Sequence, residues 1–455
     1  MQTLDVVIWT IRQRKGRAKP YELRWKVGPE PKSKSFLTRA LADHFRADLL
    51  KAAKRGEPFD TVTGLPTSML KTEKAIPMSW YEFARKYMTM RWKDAAAKTR
   101  ESIVDSLTVA TFALLDGEAT YLSKKEIRAA MQWALIPRQE GEGVPPDYEM
   151  VVRLLQKGTI PVRGMEDPIV ARRVCDELTL TRDGKRAAAD TTARRRRGLN
   201  TALQYAIDLG ELTENPLKRI KQKKIGRSDA VDRRAVVNPA QMRELLTAVS
   251  YVGSWNRARG RRLVAFYATL YFAGTRPAEA VGLRESDCQL PERGWGLLTL
   301  AQTRPSSGKH WTDNGQVHDQ RGLKQRDERA VREVPIPPDL VAILRTHIAE
   351  FGTAEDGRLF HNERGGVLGA STYARAWEEA RNLALSPQQV ASPLAGRPYD
   401  LRHAALSTWL NAGVDATEVA NRAGNSVEVL LKRYAKCIDG REKINNSRIE
   451  MALKS

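Results

Sequence analysis

The sequence predicts a multidomain, mainly α protein with a small β-sheet-plus-helix N-terminal unit, a helical middle domain and a mixed α+β C-terminal domain. Three observations predict it. A chain of 455 residues is long enough for two or three domains, each with its own core. Apolar spacing changes from period two in VVIWTIRQ and YELRWKVG to helical spacing from Met78 onward. Two stretches without apolar periodicity, PFDTVTGLPTSMLKTEKAIP and KRIKQKKIGRSDAVDRRAV, read as linkers. The expected boundaries are therefore 1–60, a linker at 61–77, 78–222, a linker at 223–236, and 237–455.

In the front unit, the two alternating strands flank a basic turn containing Arg14, Lys15 and Arg17. SKSFLT offers a third strand and ALADHFRADLLKAAKRG a helix. Two readings stand for the turn: a structural hairpin with solvated cations, or a strand-based DNA reader. In the middle domain Trp80, Phe83, Ala84 and Tyr87, then Ile103, Leu107, Ala110 and Leu114, fall on helix faces. Further on, Leu199, Leu203, Ala206 and Ile207 form a core stripe behind Arg194, Arg195, Arg196 and Arg197, which place four charges in one helical turn. Adjacent arginines repel one another, so a phosphate backbone is the expected partner, with a solvated basic face as the alternative.

The C-terminal domain contains LVAFYATLYFAGTRPAEAVGLRESD: a buried helix, a Gly274-Thr275 turn and a helix begun by Pro277. Arg276 sits between two apolar helices, where a guanidinium needs an anion, either a carboxylate such as Glu279 or Glu285 or a phosphate. WGLLTLAQT and RAVREVPIPPDL read as strands around a long polar segment, and PDLVAILRTHIAEF as an amphipathic helix. Arg402 and His403 occupy the first turn of another helix, where unpaired N–H groups favour an anion. Tyr434 closes a short helix after the Gly424-Asn425-Ser426 turn. It is expected off the apolar stripe of Val427, Leu430 and Leu431, with Lys432, Arg433 and Lys436 favouring its phenolate.

The formal charge of +22 argues for a polyanionic partner, nucleic acid foremost, and no segment is apolar enough for an integral membrane protein. Cys175, Cys288 and Cys437 lie far apart without metal-ligand spacing, as expected of a reducing cytoplasm. MQTLDVVIWTIRQRKGR has no signal-peptide core, and six scattered histidines give no reason to expect a metal or other cofactor.

Gly-Thr-Arg-x-x-Glu at 274–279, the Arg402 helix start, the Gly424 turn and Tyr434 together resemble the tyrosine recombinases, or phage-type integrases. The front unit resembles their arm-binding domain in architecture, and the helix ending at LGEL before Asn-Pro resembles the end of their core-binding domain. The resemblance implies a site-specific recombinase that cleaves and rejoins double-stranded DNA attachment sites through a 3′-phosphotyrosyl intermediate. It also implies a homotetramer on DNA and an accessory directionality or DNA-bending protein. Tyr434 would be the nucleophile, and Arg276 and Arg402 would clamp the phosphate oxygens. Lys324, shortly before Arg332, Val334 and Pro335, would be the general acid, with Lys309 as a competitor. Two positions depart from the pattern: Tyr399 stands where a histidine is usual, and Asn425 where a histidine or tryptophan is. A phenol with pKa about 10 accepts a proton less readily than an imidazole at about 6.5, which leaves Tyr399 to donate or relay a hydrogen bond. Asn425 could donate to a phosphate oxygen without transferring a proton, and His403 would support the site. An inactive DNA-binding paralogue and a type IB topoisomerase are the alternatives.

Overall fold

A computed structural model describes residues 2–14, 16–70, 77–138, 141–221, 230–253, 257–323, 331–434, 437 and 441–454. The chain divides into two compact units, residues 1–95 with 99–224, and residues 225–455 with the short run 96–98.

The first unit begins with strands β1 (Gln2–Thr3), β2 (Val6–Ile8), β3 (Arg12–Gln13), β4 (Tyr21–Val27) and β5 (Glu30–Phe36), followed by helix α1 (Arg39–Lys54). β4 is central. It pairs antiparallel with β2 and β3 on one side and β5 on the other, with Trp25 opposite Ile8 and Lys32. Period-two alternation buries Leu23, Trp25 and Val27 on one face of β4, and α1 contributes Leu41, Ala42, Leu49 and Ala52 to the buried set. The expected single strand over VVIWTIRQ is broken between Ile8 and Arg12, where Trp9 is exposed.

The linker expected from residue 61 is folded up to Leu70. β6 (Phe59–Asp60) pairs with β1, helix α2 (Thr67–Leu70) follows, and the Gly64 carbonyl accepts the Trp25 indole N–H at 2.6 Å. A buried indole needs such an acceptor, and this segment supplies it.

Helices α3 (Trp80–Trp92), α4 (Ala97–Phe112), α5 (Lys124–Ala134), α6 (Pro146–Lys157), α7 (Pro168–Glu177) and α8 (Ala189–Asp208) come next. Ser79 with Glu82 and Ser123 with Glu126 form reciprocal caps that fix the starts of α3 and α5. Trp80, Phe83, Tyr87 and Tyr205 make an aromatic core between α3 and α8. The front sheet is tied to the same bundle, because Lys34 donates to the Asp208 carbonyl at 3.4 Å and Lys19 lies 4.0 Å from its carboxylate. The sheet and the helices thus belong to one compact unit.

The second unit contains helices α9 (Pro239–Ser250), α10 (Ala258–Phe272) and α11 (Pro277–Gly282), and strands β7 (Cys288–Gln289), β8 (Gly296–Leu300), β9 (Gln302–Thr303), β10 (Arg321–Gly322) and β11 (Arg332–Ile336). Then follow α12 (Pro338–Phe351), α13 (Ala370–Ala384), α14 (Pro387–Ala391), α15 (Tyr399–Asn411), α16 (Ala416–Ala423), α17 (Val427–Tyr434) and α18 (Arg441–Lys454). β11, β8 and β7 form an antiparallel sheet in that order, with Val334 opposite Leu298. The fully buried α10 residues Phe266, Tyr267 and Leu270 share the main core with residues of α9, α12, α13 and α15.

Gly274 joins α10 to α11 at φ +57°, and a Cβ there would lie 2.9 Å from both Leu406 and Trp409 of α15. Only glycine permits that turn and that approach at once. The turn sets Arg276 beside the start of α15.

Candidate functional site

Arg276 precedes Pro277 at the start of α11 in extended backbone conformation, and its own N–H donates to the Glu279 carboxylate at 2.8 Å. Its Nη1 donates to Glu279 Oε1 at 2.6 Å, and its Nη2 to the Gly424 carbonyl at 3.1 Å and Asn425 Oδ1 at 3.2 Å. The Tyr399 side chain is also hydrogen-bonded to this guanidinium.

Glu279 is buried at 1% exposure and receives a second arginine, Arg332 of β11, as a fork: Nη1 to Oε1 at 3.1 Å and Nη2 to Oε2 at 2.7 Å. Burial alone would raise the Glu279 pKa, but Arg332 first, then Arg276 and Arg402, hold it down at about 2. Strand alternation puts Arg332 on the buried face with Val334 and Ile336. Gly424, the left-handed end of α16 at φ +63°, leaves room for this guanidinium, which a Cβ would overlap.

Arg402, in the first turn of α15, is buried at 1% exposure and donates to two carbonyls, those of Gly274 and, at 2.6 Å, Ala423. Arg276 and Arg402 thus grip consecutive carbonyls at the end of α16, although they lie 126 positions apart in sequence. Burial, then the charge of Arg276, makes the Arg402 cation harder to hold. Arg276 and Arg332 bond the Glu279 carboxylate and Arg402 acts on it through its charge alone, a local surplus of positive charge that an incoming anion would offset.

Tyr434 lies on the apolar stripe of α17 with Leu430, four residues before it, and not off the stripe as expected; Leu431 and Val429 are instead exposed at 41% and 40%. Its ring belongs to a small core with Leu406, Leu410, Val419 and Ala423. The expected bias toward phenolate is overturned as well. Burial raises the Tyr434 pKa, and Arg402 and Arg433 only partly offset it. Its hydroxyl lies 2.7 Å from His403 Nδ1, and the His403 ring meets Tyr399 edge-on at 5.1 Å.

No family model and no curated protein matches the sequence. Among solved structures, the Tn1549 transposon integrase in complex with a circular-intermediate DNA matches over 83% of this chain and 100% of that chain, with TM-score 0.50 and 15% identity. The fold is that of the tyrosine recombinases. The XerH site-specific recombinase bound to its difH substrate, at TM-score 0.45 and 12% identity, covers 84% of this chain and 97% of its own. Lambda integrase bound to DNA, at TM-score 0.46 and 13% identity, covers 78% and 97%.

Within the recombinase fold, Arg276, Arg402, Tyr399, Asn425, His403 and Tyr434 form one connected cluster. Asn425 turns its side-chain oxygen to Arg276, so it orients that guanidinium. Lys324 and Lys15 lie outside the described residues, and Lys309 and Arg17 are exposed. Arg14 is paired with Glu22 at 2.8 Å.

The four-arginine turn of α8 is not a single basic face, because successive helical residues point about 100° apart. Arg195 is buried at 7% exposure, bonding Asp105 at 2.8 Å and the Leu180 carbonyl at 2.7 Å. Arg196 donates to the carbonyls of Leu217 at 2.7 Å and Ile220 at 3.1 Å. Only Arg194 and Arg197 of the four are exposed. Arg195→Leu is therefore expected to cost about 3 kcal/mol by leaving Asp105 and the Leu180 carbonyl underbonded. Arg194→Gln is expected to leave the thermal midpoint within a degree or two, roughly the span of surface substitutions. Thermal unfolding of the two variants checks this contrast.

Proposed function

We propose that the protein cleaves and rejoins DNA at specific sites, with Tyr434 forming a 3′-phosphotyrosyl link. The observation that carries this reading is the junction of Arg276, Arg402 and Tyr434. Two guanidiniums grip neighbouring carbonyls in a site with surplus positive charge, and the tyrosine is hydrogen-bonded to the residue after Arg402. A scissile phosphate would take over the guanidinium N–H groups now given to carbonyls, and fork geometry would stabilise the charge that builds on its non-bridging oxygens. Attack by Tyr434 exchanges one phosphodiester for another, so no metal is needed to store bond energy. The 5′-oxygen leaves as a hydroxyl after protonation, the role proposed for Lys324. Tyr434 is 1% exposed, so DNA binding must uncover its hydroxyl. We propose exchange within a tetramer on two attachment sites.

Nicked suicide duplexes tiled across the DNA flanking the gene test the reading: a covalent protein–DNA band on a denaturing gel is expected. No band on any duplex would favour the DNA-binding-only alternative.

Binding should weaken steeply with salt. Arg194→Gln with Arg197→Gln is expected to reduce the slope of log affinity against log salt by roughly 2, about one for each phosphate no longer neutralised. An unchanged slope would place this face of α8 away from the DNA.

A further inference from the structure

The cluster needs a group to accept the phenolic proton, and the residues expected there cannot supply it. Tyr399 is a phenol engaged with Arg276, and Asn425, whose oxygen also serves Arg276, cannot take a proton. His403 is differently placed. Its Nδ1 faces the Tyr434 hydroxyl at 2.7 Å, a hydrogen-bonding distance for proton transfer, and Tyr399 backs its ring at 5.1 Å.

We infer that His403 is the general base that takes the proton from Tyr434 as the phenolic oxygen attacks phosphorus. This rests on the cleavage reading above. In the step, the Tyr434 O–H bond breaks and its proton passes to Nδ1, while the oxygen forms the new bond to phosphorus. The P–O5′ bond breaks, and the 5′-oxygen leaves protonated by a separate acid. Rejoining reverses each transfer, and His403 returns the proton to Tyr434.

The surroundings keep the ring ready for this. Burial first, then the positive charges of Arg402, Arg397 and Arg433, outweigh Asp400 and lower the His403 pKa to about 4. The ring is therefore neutral near pH 7, with one nitrogen lone pair to offer. Asp400, itself bonded by Arg397 at 3.0 Å, supplies the negative charge that favours the imidazolium formed during the step.

Two measurements test the inference. In histidine ¹⁵N NMR spectra of the full chain without DNA, the signal that disappears in His403→Asn is expected to report an Nδ1 without hydrogen and an Nε2–H. An Nδ1–H would make the histidine the donor and overturn the assignment. The second measurement is single-turnover cleavage of the nicked duplex that gives the wild-type adduct. His403→Asn can still accept a hydrogen bond near the Nδ1 position but cannot carry a proton. Both His403→Asn and His403→Ala are expected to bind that duplex normally and cleave it about a hundredfold or more slowly. Their residual rates should rise about tenfold per pH unit, since the proton must then leave to solvent. Added imidazole should accelerate His403→Ala. Normal cleavage by His403→Asn would reduce the contact to positioning and overturn the base. A wild-type protein without an adduct on any duplex overturns the cleavage reading and the base with it.

Discussion

Tyr434→Phe is expected to abolish the covalent adduct while leaving folding and DNA affinity close to normal. The ring stays in its apolar site among Leu406, Leu410 and Val419, because phenylalanine fills the same volume. The loss is one hydroxyl and its 2.7 Å hydrogen bond with His403, about 1 kcal/mol of stability. Chemistry, in contrast, loses the only atom that can bond to phosphorus in this reading. A denaturing gel after incubation with a nicked suicide duplex separates the outcomes. If the band persists in Tyr434→Phe and disappears in Tyr399→Phe, the nucleophile is Tyr399.

The second large effect is structural and lies beside the first. Glu279→Ala removes the carboxylate that holds the Arg332 fork and the Nη1 of Arg276. It leaves Arg332, at 4% exposure, as a buried cation facing two others. Breaking a buried pair in this way costs about 3–5 kcal/mol. For a unit of this size that lowers the thermal midpoint by roughly 10 °C. Cleavage should fall with it, since Arg276 loses the partner that fixes its fork. A midpoint within two degrees of wild type would show that the three arginines find another anion.

The same group makes stability depend on acid. Glu279 titrates at about 2 in the folded protein, against about 4.5 when unfolded. At about 1.4 kcal/mol per pH unit this corresponds to roughly 3 kcal/mol of stability. The sign follows from proton uptake: between these values the unfolded chain binds the proton and the folded one does not. The contribution is therefore present in full above about pH 4.5 and is lost as pH falls toward 2. Denaturant midpoints measured from pH 5 downward should drop more in wild type than in Glu279→Gln, which has no carboxylate to protonate.

The resemblance of particular residues to a known pattern made Arg276, Arg402 and Tyr434 legible from the chain alone. Local signals were also sufficient for most helices, because caps such as Ser79 with Glu82 and apolar spacing act within a few residues. Arg332 carries a readable signal as well: its alternation with Val334 and Ile336 puts a charge on a buried strand face. The sequence did not show how it is neutralised, since Glu279 lies 53 positions away.

By itself, the sequence determined the strong positive charge, most of the helical and strand segments, and the residue types assembled at the site. Charge, periodicity and short motifs are properties of the chain alone. Tertiary structure decided what each charge faces. The four arginines of α8 look alike in sequence, yet Arg195 neutralises Asp105 while Arg194 and Arg197 remain exposed, because a helix turns each residue toward a different neighbour. Tyr434, expected among cations that would favour its phenolate, is instead buried against Leu406 and Val419, and burial raises its pKa. Whether charge or desolvation prevails at such a group depends on what surrounds it in three dimensions, and much of that surrounding comes from parts of the chain distant in sequence.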